Sequence, residues 1–337
     1  MKAVVVGAGL AGLTSAVVLK RNGWDVDIYE TRNQLGGMCA DTEMLGMYVQ
    51  LFGPHVFHTK DSEVWDFMED FATFEPFVHT VVALTAHTDK LLPIPYSMAT
   101  EEIIGRRLSD EEIIEWFLSG YSTKMWGSDW DDLPPYVKGR IGNLRRDDRN
   151  INYFSDKYQG LPRYGFNNMF SRMLEAAGGN IHLGAKPDAW RNVRSDAIIY
   201  TGRLDAAFDF WYGKLAYRSL QFEISIGSGL AAPVVNCCDP AIDEIRRSDF
   251  ALFNPWNDKC SKTVIMKEYP KNPETIDEGY YPMPWKSPML DGYKKRAAEV
   301  FPKMQVIGRL GSYAHKNMDV VIREGIDAAN KLIGLNT

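Results

Sequence analysis

The chain has 337 residues, a net charge of −6 and a pI near 5.6, with 45% hydrophobic and 24% charged residues. That length can bury a large core in one to three domains, and the hydrophobic content is ordinary for a soluble enzyme. The acidic balance, with no basic tract, argues against a nucleic-acid surface, and no apolar run approaches membrane-spanning length.

The first strand opens at Lys2-Ala3 with no charged-then-apolar leader, so no signal peptide is expected and the cytoplasm is the default compartment. Val4-Val5-Val6 then enters a glycine turn, Gly7-Ala-Gly9-Leu-Ala-Gly12, with a helix behind it. Gly7 is expected to make the turn, Gly9 to let a pyrophosphate approach the backbone, and Gly12 to let helix and strand pack closely. The phosphates would sit on the amide dipoles of the helix N-terminus. A second strand, Val26-Asp-Ile28-Tyr, ends in Glu30, where a carboxylate can bind both hydroxyls of an adenosine ribose. Gly36-Gly37 follows. That pair resembles the FAD-binding arm of the glutathione-reductase-type flavoproteins, which implies FAD as the cofactor. Cys39 stands near the place where such reductases carry a redox pair, but position 44 is Met. The four cysteines (Cys39, Cys237, Cys238, Cys260) form no CxxC or zinc spacing, so neither a thiol relay nor a metal site is expected.

The expected fold is α/β, with a Rossmann-like FAD-binding domain, a small helical domain and an antiparallel β-sheet domain. The FAD-binding domain reads as discontinuous, residues 1–65, 182–214 and 299–337. Its later pieces are buried strands at Asp196–Gly202 and Met304–Gly311, then a helix with Val321, Ile322, Ile326, Ala329 and Ile333 on its apolar side. The helical domain, 97–146, is announced by a capping box, Ser109 with Glu112, before Ile113 and Phe117. The sheet domain takes 66–96, 147–181 and 215–298. Arg218–Ser225 alternates as a strand, Thr263–Met266 reads as a short one, and 76–95 adds further strands.

Phe52-Gly53-Pro54-His55-Val56-Phe57-His58-Thr59 resembles the glycine–proline–histidine loop of the UDP-galactopyranose mutases. The resemblance continues in order through Gly120-Tyr121-Ser-Thr-Lys-Met-Trp126-Gly127, Leu133-Pro134 with Lys138-Gly-Arg140, and Asn152-Tyr153-Phe154. It goes on through Tyr158-Gln159-Gly160, Tyr164-Gly165, Asn236 with Arg246, and Lys267-Glu268-Tyr269-Pro270. Tyr280-Tyr281-Pro282 and Gly308-Arg309-Leu310-Gly311-Ser-Tyr313 complete it. The resemblance implies interconversion of UDP-galactopyranose and UDP-galactofuranose with no net oxidation, by attack of reduced flavin N5 on the anomeric carbon. The alternatives are a mutase for another UDP-hexose and a net-redox FAD-dependent oxidoreductase.

The implied site follows residue by residue. His55 lies against the flavin's reacting face, and Arg140 and Arg246 neutralise the pyrophosphate in place of a divalent ion, with fork-like bonds that lysine could not copy. Tyr153 and Tyr281 add neutral donors, Phe117, Tyr121 and Trp126 face the uracil, and Asn236 bonds the base or merely ends a strand. Arg309 and Met318 join Gly7, Gly9, Gly12, Glu30, Gly36 and Gly37 at the cofactor, and the last helix aims its positive end at the flavin. Trp116 has the duller reading of a core aromatic. Two departures from the family pattern stand at His315, where a tyrosine reaches the phosphates, and Asn317, where an aspartate lies near the flavin. Met38 replaces an asparagine. An external electron donor, NAD(P)H or a reductase, is implied, since no separate NAD(P) fingerprint is visible. The stretch from Tyr96 to Glu115 is short and charged, whereas bacterial relatives dimerise through this region, so a monomer is expected.

Overall fold

The computed structural model of the protein describes residues 1–138, 144–257, 262–300 and 303–334. A five-stranded parallel sheet carries the N-terminal fingerprint. Its spatial order is β10 (Ile181–His182), β2 (Asp25–Tyr29), β1 (Lys2–Val6), β11 (Ala197–Tyr200) and β17 (Met304–Val306). The valines of β1 are buried on both faces, as a central parallel strand requires. Behind the glycine turn, α1 (Leu10–Arg21) is apolar nearly all round because it lies between the helices Gly165–Ala176 and Met318–Leu332. Gly12 makes this layer possible. A Cβ there would stand 2.0 Å from the Gly7 carbonyl oxygen, so any side chain would push α1 off the sheet.

The second layer is a seven-stranded sheet in the order β16 (Tyr281–Pro282), β12 (Tyr217–Gly227), β15 (Thr263–Lys271), β14 (Arg246–Asp249), β13 (Val234–Cys237), β7 (Val81–Leu84) and β8 (Leu92–Ile94). The β13–β7 pair is parallel, so the sheet expected to be antiparallel is mixed. The strands at 81–84 and 92–94 do join it. β15 runs to Lys271, well beyond the expected Met266, because β12 and β14 pair it on both sides. The register aligns Phe222, Glu268, Arg246, Asn236, Ala83 and Leu92 in one row across one face.

Two smaller sheets brace the loop between these layers. β3 (Asp41–Met44) and β4 (Met47–Gln50) form a hairpin before it. After it, β9 (Tyr158–Pro162) lies between β5 (Phe57–Thr59) and β6 (Phe74–Pro76). The Ser109–Glu112 capping box forms as its spacing predicts, each side chain bonding the other residue's backbone N–H. The chain then runs through a π-helical turn, Ile114–Ser119, into the helix Gly120–Trp126. Such turns recur at functional sites.

Three of the expected domain limits fall inside elements. The helix Ser62–Glu69 crosses position 65, the helix Leu290–Val300 crosses 298, and β10 begins at Ile181 within the parallel sheet. Tertiary packing extends elements across those limits. Among the described residues no helix is long and apolar enough to cross a membrane.

Candidate active site

A cleft of about 450 Å³ opens along the C-terminal ends of the parallel strands, the usual place for a ligand in such sheets. Gly7, Gly9, Glu30, Gly36, Gly37, His55, Arg309 and Met318 all line it, and Met38 and Cys39 do too. Gly12 lies beneath, in its packing role. No side chain caps α1, and its first residues, Leu10 and Ala11, face the cleft, so their free amides and the helix dipole are available to an anion. Gly9 is extended, and a Cβ on it would meet only the Gly36–Gly37 backbone, no nearer than 3.8 Å. The protein's own packing therefore leaves room for a side chain at Gly9. The Glu30 carboxylate is held by the N–H groups of Ala8 (2.8 Å) and Arg32 (2.9 Å), so it is fixed at the cleft wall. These features fit a dinucleotide with a bridging pyrophosphate. Burial pushes the Cys39 thiol up to about 12, and its sulfur neighbour is Met318 at 3.5 Å, not a second thiol.

At one end of the cleft His55 is pinned by Gln50, whose side-chain amide accepts from its N–H and donates to its carbonyl. Burial lowers the imidazole pKa to about 4, and the nearby positive charges of Arg309 and Arg246 lower it too. The ring is therefore neutral at pH 7. With Gly53 O at 2.8 Å from Nδ1, that nitrogen carries the proton and Nε2 is left as an acceptor.

Arg309 spans the boundary between this cleft and a second cluster, lying 5.8 Å from the ring centre of Tyr281. Tyr281 stacks on His315 at 6.0 Å and meets Trp126 edge-on at 6.4 Å. Burial pushes the Tyr281 hydroxyl up to about 12, so it remains a donor. Arg246 donates to the Tyr121 hydroxyl at 2.9 Å and faces Glu268 at 3.5 Å. Among the described residues its Nε is buried without a partner, as is the side-chain oxygen of Asn236 beside it. Burial works against both charges of the Arg246–Glu268 pair. The guanidinium stays protonated, and the Glu268 carboxyl is pulled up.

The predicted residues thus converge from elements far apart in sequence. Phe117 packs against Tyr96 within a buried hydrophobic cluster shared with Tyr121 and Trp126. Tyr153 sits to one side against His79 and Phe154. Trp116 stacks on His87 at 4.7 Å with Arg106 over its ring, at the margin of that hydrophobic cluster. Arg140 lies outside the described residues.

Several residues with no role assigned from sequence hold the cluster in place. Glu268 is fully buried beneath Gly53 and opposite Arg246, so it joins the row that carries Arg246 to the His55 loop. Lys124 donates to four backbone carbonyls, those of Cys237, Asp239, Ile242 and Glu244, at 2.6–3.1 Å. It ties the helix of Tyr121 and Trp126 to the β13–β14 turn that leads to Arg246. Arg218 donates to the carbonyls of Lys124 and Met125 at the end of the same helix. His58 bonds Asp156 at 2.5 Å and stacks on Phe154. In the sequence Lys124, Glu268 and His58 stand only as members of the motif blocks, with no role attached to them.

A Rossmann-type cleft joined to an arginine–tyrosine cluster defines an enzyme of the flavin-dependent mutase and isomerase class. The UDP-galactopyranose mutase family profile matches residues 116–315, and an NAD(P)-binding Rossmann-like domain matches 5–71. The chain belongs to the UDP-galactopyranose mutase family. It is 29% identical to a probable UDP-galactopyranose mutase of Klebsiella pneumoniae, over 98% of this chain and 94% of that one. It is 28% identical to the dTDP-fucopyranose mutase of Escherichia coli, over 99% of each. A crystal structure of a reduced UDP-galactopyranose mutase shares the fold, with a TM-score of 0.74 at 17% identity over 100% of this chain and 96% of that one.

Proposed function

We propose that this chain is an FAD-dependent mutase that interconverts UDP-galactopyranose and UDP-galactofuranose with no net redox change. The observation that carries this reading is the junction at Arg309, where the dinucleotide cleft meets a half-buried arginine, Arg246, flanked by two tyrosines. When bound and reduced, FAD would supply the nucleophile for the anomeric carbon. The chain's own residues do the rest. The amides at Gly9, Leu10 and Ala11 and the Glu30 carboxylate would hold the cofactor's pyrophosphate and ribose, and Arg309 and Met318 its far end. Arg246, joined by Arg140 in the family's pattern, would hold the substrate pyrophosphate and stabilise charge as UDP leaves. Tyr153, Tyr281 and His315 would add donors. Phe117, Tyr121 and Trp126 would hold the base, with Asn236 at its edge. Neutral His55 offers an acceptor beside the reacting atoms, not a charge.

The supporting frame is a discontinuous cofactor-binding unit from the parallel sheet, a reduced helical unit and the mixed-sheet unit. The electron donor would be NAD(P)H or a separate reductase, and the compartment the cytoplasm. A second reading, a mutase acting on a dTDP-hexose, is favoured by the near-equal similarity to the E. coli dTDP-fucopyranose mutase. Chromatography of sugar nucleotides after incubation with dithionite-reduced enzyme separates the two. UDP-galactofuranose should form from UDP-galactopyranose, without reductant being consumed in proportion, and oxidised anaerobic enzyme should form none. Equal turnover by oxidised enzyme would discard the chemistry. Turnover of dTDP-fucopyranose alone would move the assignment to the second reading.

A further inference from the structure

We propose that two copies of this chain associate through the free edge of β12, forming one continuous antiparallel sheet across the pair. β12 is paired on one side by β15 along Ser219–Gly227, nine consecutive residues with no bulge. On the other side β16 covers only Tyr217 and Arg218, and Tyr280 donates to the Arg218 carbonyl. Beyond that point, among the described residues, no backbone group bonds the outer edge of β12. Ser219 and Leu220 are buried, so the open stretch is Gln221–Gly227, about 23 Å long at the usual rise per residue.

Its side chains are poorly suited to solvent. Phe222, Ile224 and Ile226 share one face, with Ile224 37% and Ile226 60% exposed. They extend the apolar surface of Met266 and Val264, which are buried on the adjacent strand. Monomeric proteins protect such edges with lysine, proline, a bulge or a covering element. Among the described residues this edge has none of them within Gln221–Gly227, and Glu223, its sole charge, stands opposite Lys267 of β15.

The occupant that fits is a second β12. A two-fold axis perpendicular to the sheet keeps each side chain on its own face. It therefore allows only registers in which paired residues differ by an even number. Centring the axis on Glu223 sets two like charges opposite each other. Centring it on Ile224 pairs Ile224 with itself, Phe222 with Ile226, Glu223 with Ser225 and Gln221 with Gly227. From Phe222 to Ile226 that register matches apolar to apolar at every position of this face, and it opposes no like charges. Centring on Ser225 leaves Phe222 facing Ser228. The expectation of a monomer rested on the short helical segment alone, and this interface does not use that segment.

Light scattering of the full-length, FAD-loaded protein over a concentration series should approach twice the chain's 38.2 kDa. Ile224→Lys should weaken self-association at least tenfold while leaving FAD content and thermal unfolding of the dilute protein unchanged. The register has its own test. Ile224→Cys should form an intermolecular disulfide under mild oxidant, and Glu223→Cys, which faces Ser225, should not. The parent chain is the control for its native thiols. A constant mass near 38.2 kDa would overturn the proposal and leave the edge to a different partner. A dimer unaffected by Ile224→Lys, or cross-linked through Glu223→Cys alone, would overturn it equally.

Discussion

Gly9→Ala is expected to leave the polypeptide folded and to weaken FAD binding about a hundredfold or more, roughly 3 kcal/mol. The structure separates these two effects. Gly9 has φ −84° and ψ −174°, a conformation open to alanine, and the added methyl would meet no protein atom closer than 3.8 Å. Alanine at a helix N-cap costs on the order of 1 kcal/mol, so the cofactor-free variant should unfold within a few degrees of the cofactor-free parent. What the methyl does obstruct is close approach of a phosphate to the amides of Leu10 and Ala11. Gly12→Ala is the contrasting control, because its methyl would lie 2.0 Å from the Gly7 carbonyl and the backbone itself must move. That variant should lose stability even without cofactor. Flavin absorbance per chain, with melting curves of the stripped proteins, reads both effects. Cofactor-free forms must be compared, since bound FAD itself raises the melting temperature. A fully flavinylated Gly9→Ala would mean that the pyrophosphate does not lie over this turn.

The contrast between Gly9 and Gly12 also shows why the cofactor end was legible in the sequence. A glycine demanded by backbone crowding or by a ligand leaves a spacing that no tertiary context hides, and the β-branched run before it fixes the strand. The second cluster is legible only in part. Arg246, Tyr121 and Tyr281 could be named from ordered motifs, but their mutual contacts arise from strand register. Glu268 meets Arg246 across twenty-two residues of sequence because β14 and β15 pair there. Lys124 and Arg218 are harder still. Lys124 satisfies backbone carbonyls instead of side chains, and Arg218 does so chiefly, adding one bond to the Asn272 side chain, so no charged partner exists to be found. The mixed pairing of β13 with β7 escaped for a related reason. The chain returns to the sheet from more than a hundred residues away, and local alternation carries no information on direction.

Arg246→Ala should weaken UDP binding by about one to two decades, because a charge-assisted hydrogen bond to a partly buried phosphate contributes about 1.5–3 kcal/mol. FAD content should stay normal, since Arg246 does not line the cofactor cleft. The same substitution strips Glu268 of its partner. That carboxylate is fully buried, its oxygens accept no hydrogen bond among the described residues, and it faces Arg246 at 3.5 Å. Removing one member of a buried pair typically costs about 3–5 kcal/mol, so the single variant should also be less stable. Burial already pulls the Glu268 carboxyl above its ordinary value of 4.5, and losing the guanidinium raises it further. A carboxyl whose folded pKa exceeds its unfolded one favours the folded state below the unfolded value and loses that advantage as pH rises. The stability deficit of Arg246→Ala should therefore be smaller near pH 5 than near pH 8. Adding Glu268→Gln removes the stranded charge and should restore much of the stability. It should not restore UDP affinity, because nothing replaces the phosphate donor. Calorimetric titration with UDP, alongside melting curves at both pH values, distinguishes the two roles. If the double variant recovered affinity together with stability, Arg246 would be a structural counter-ion to Glu268 and the phosphate site would lie elsewhere.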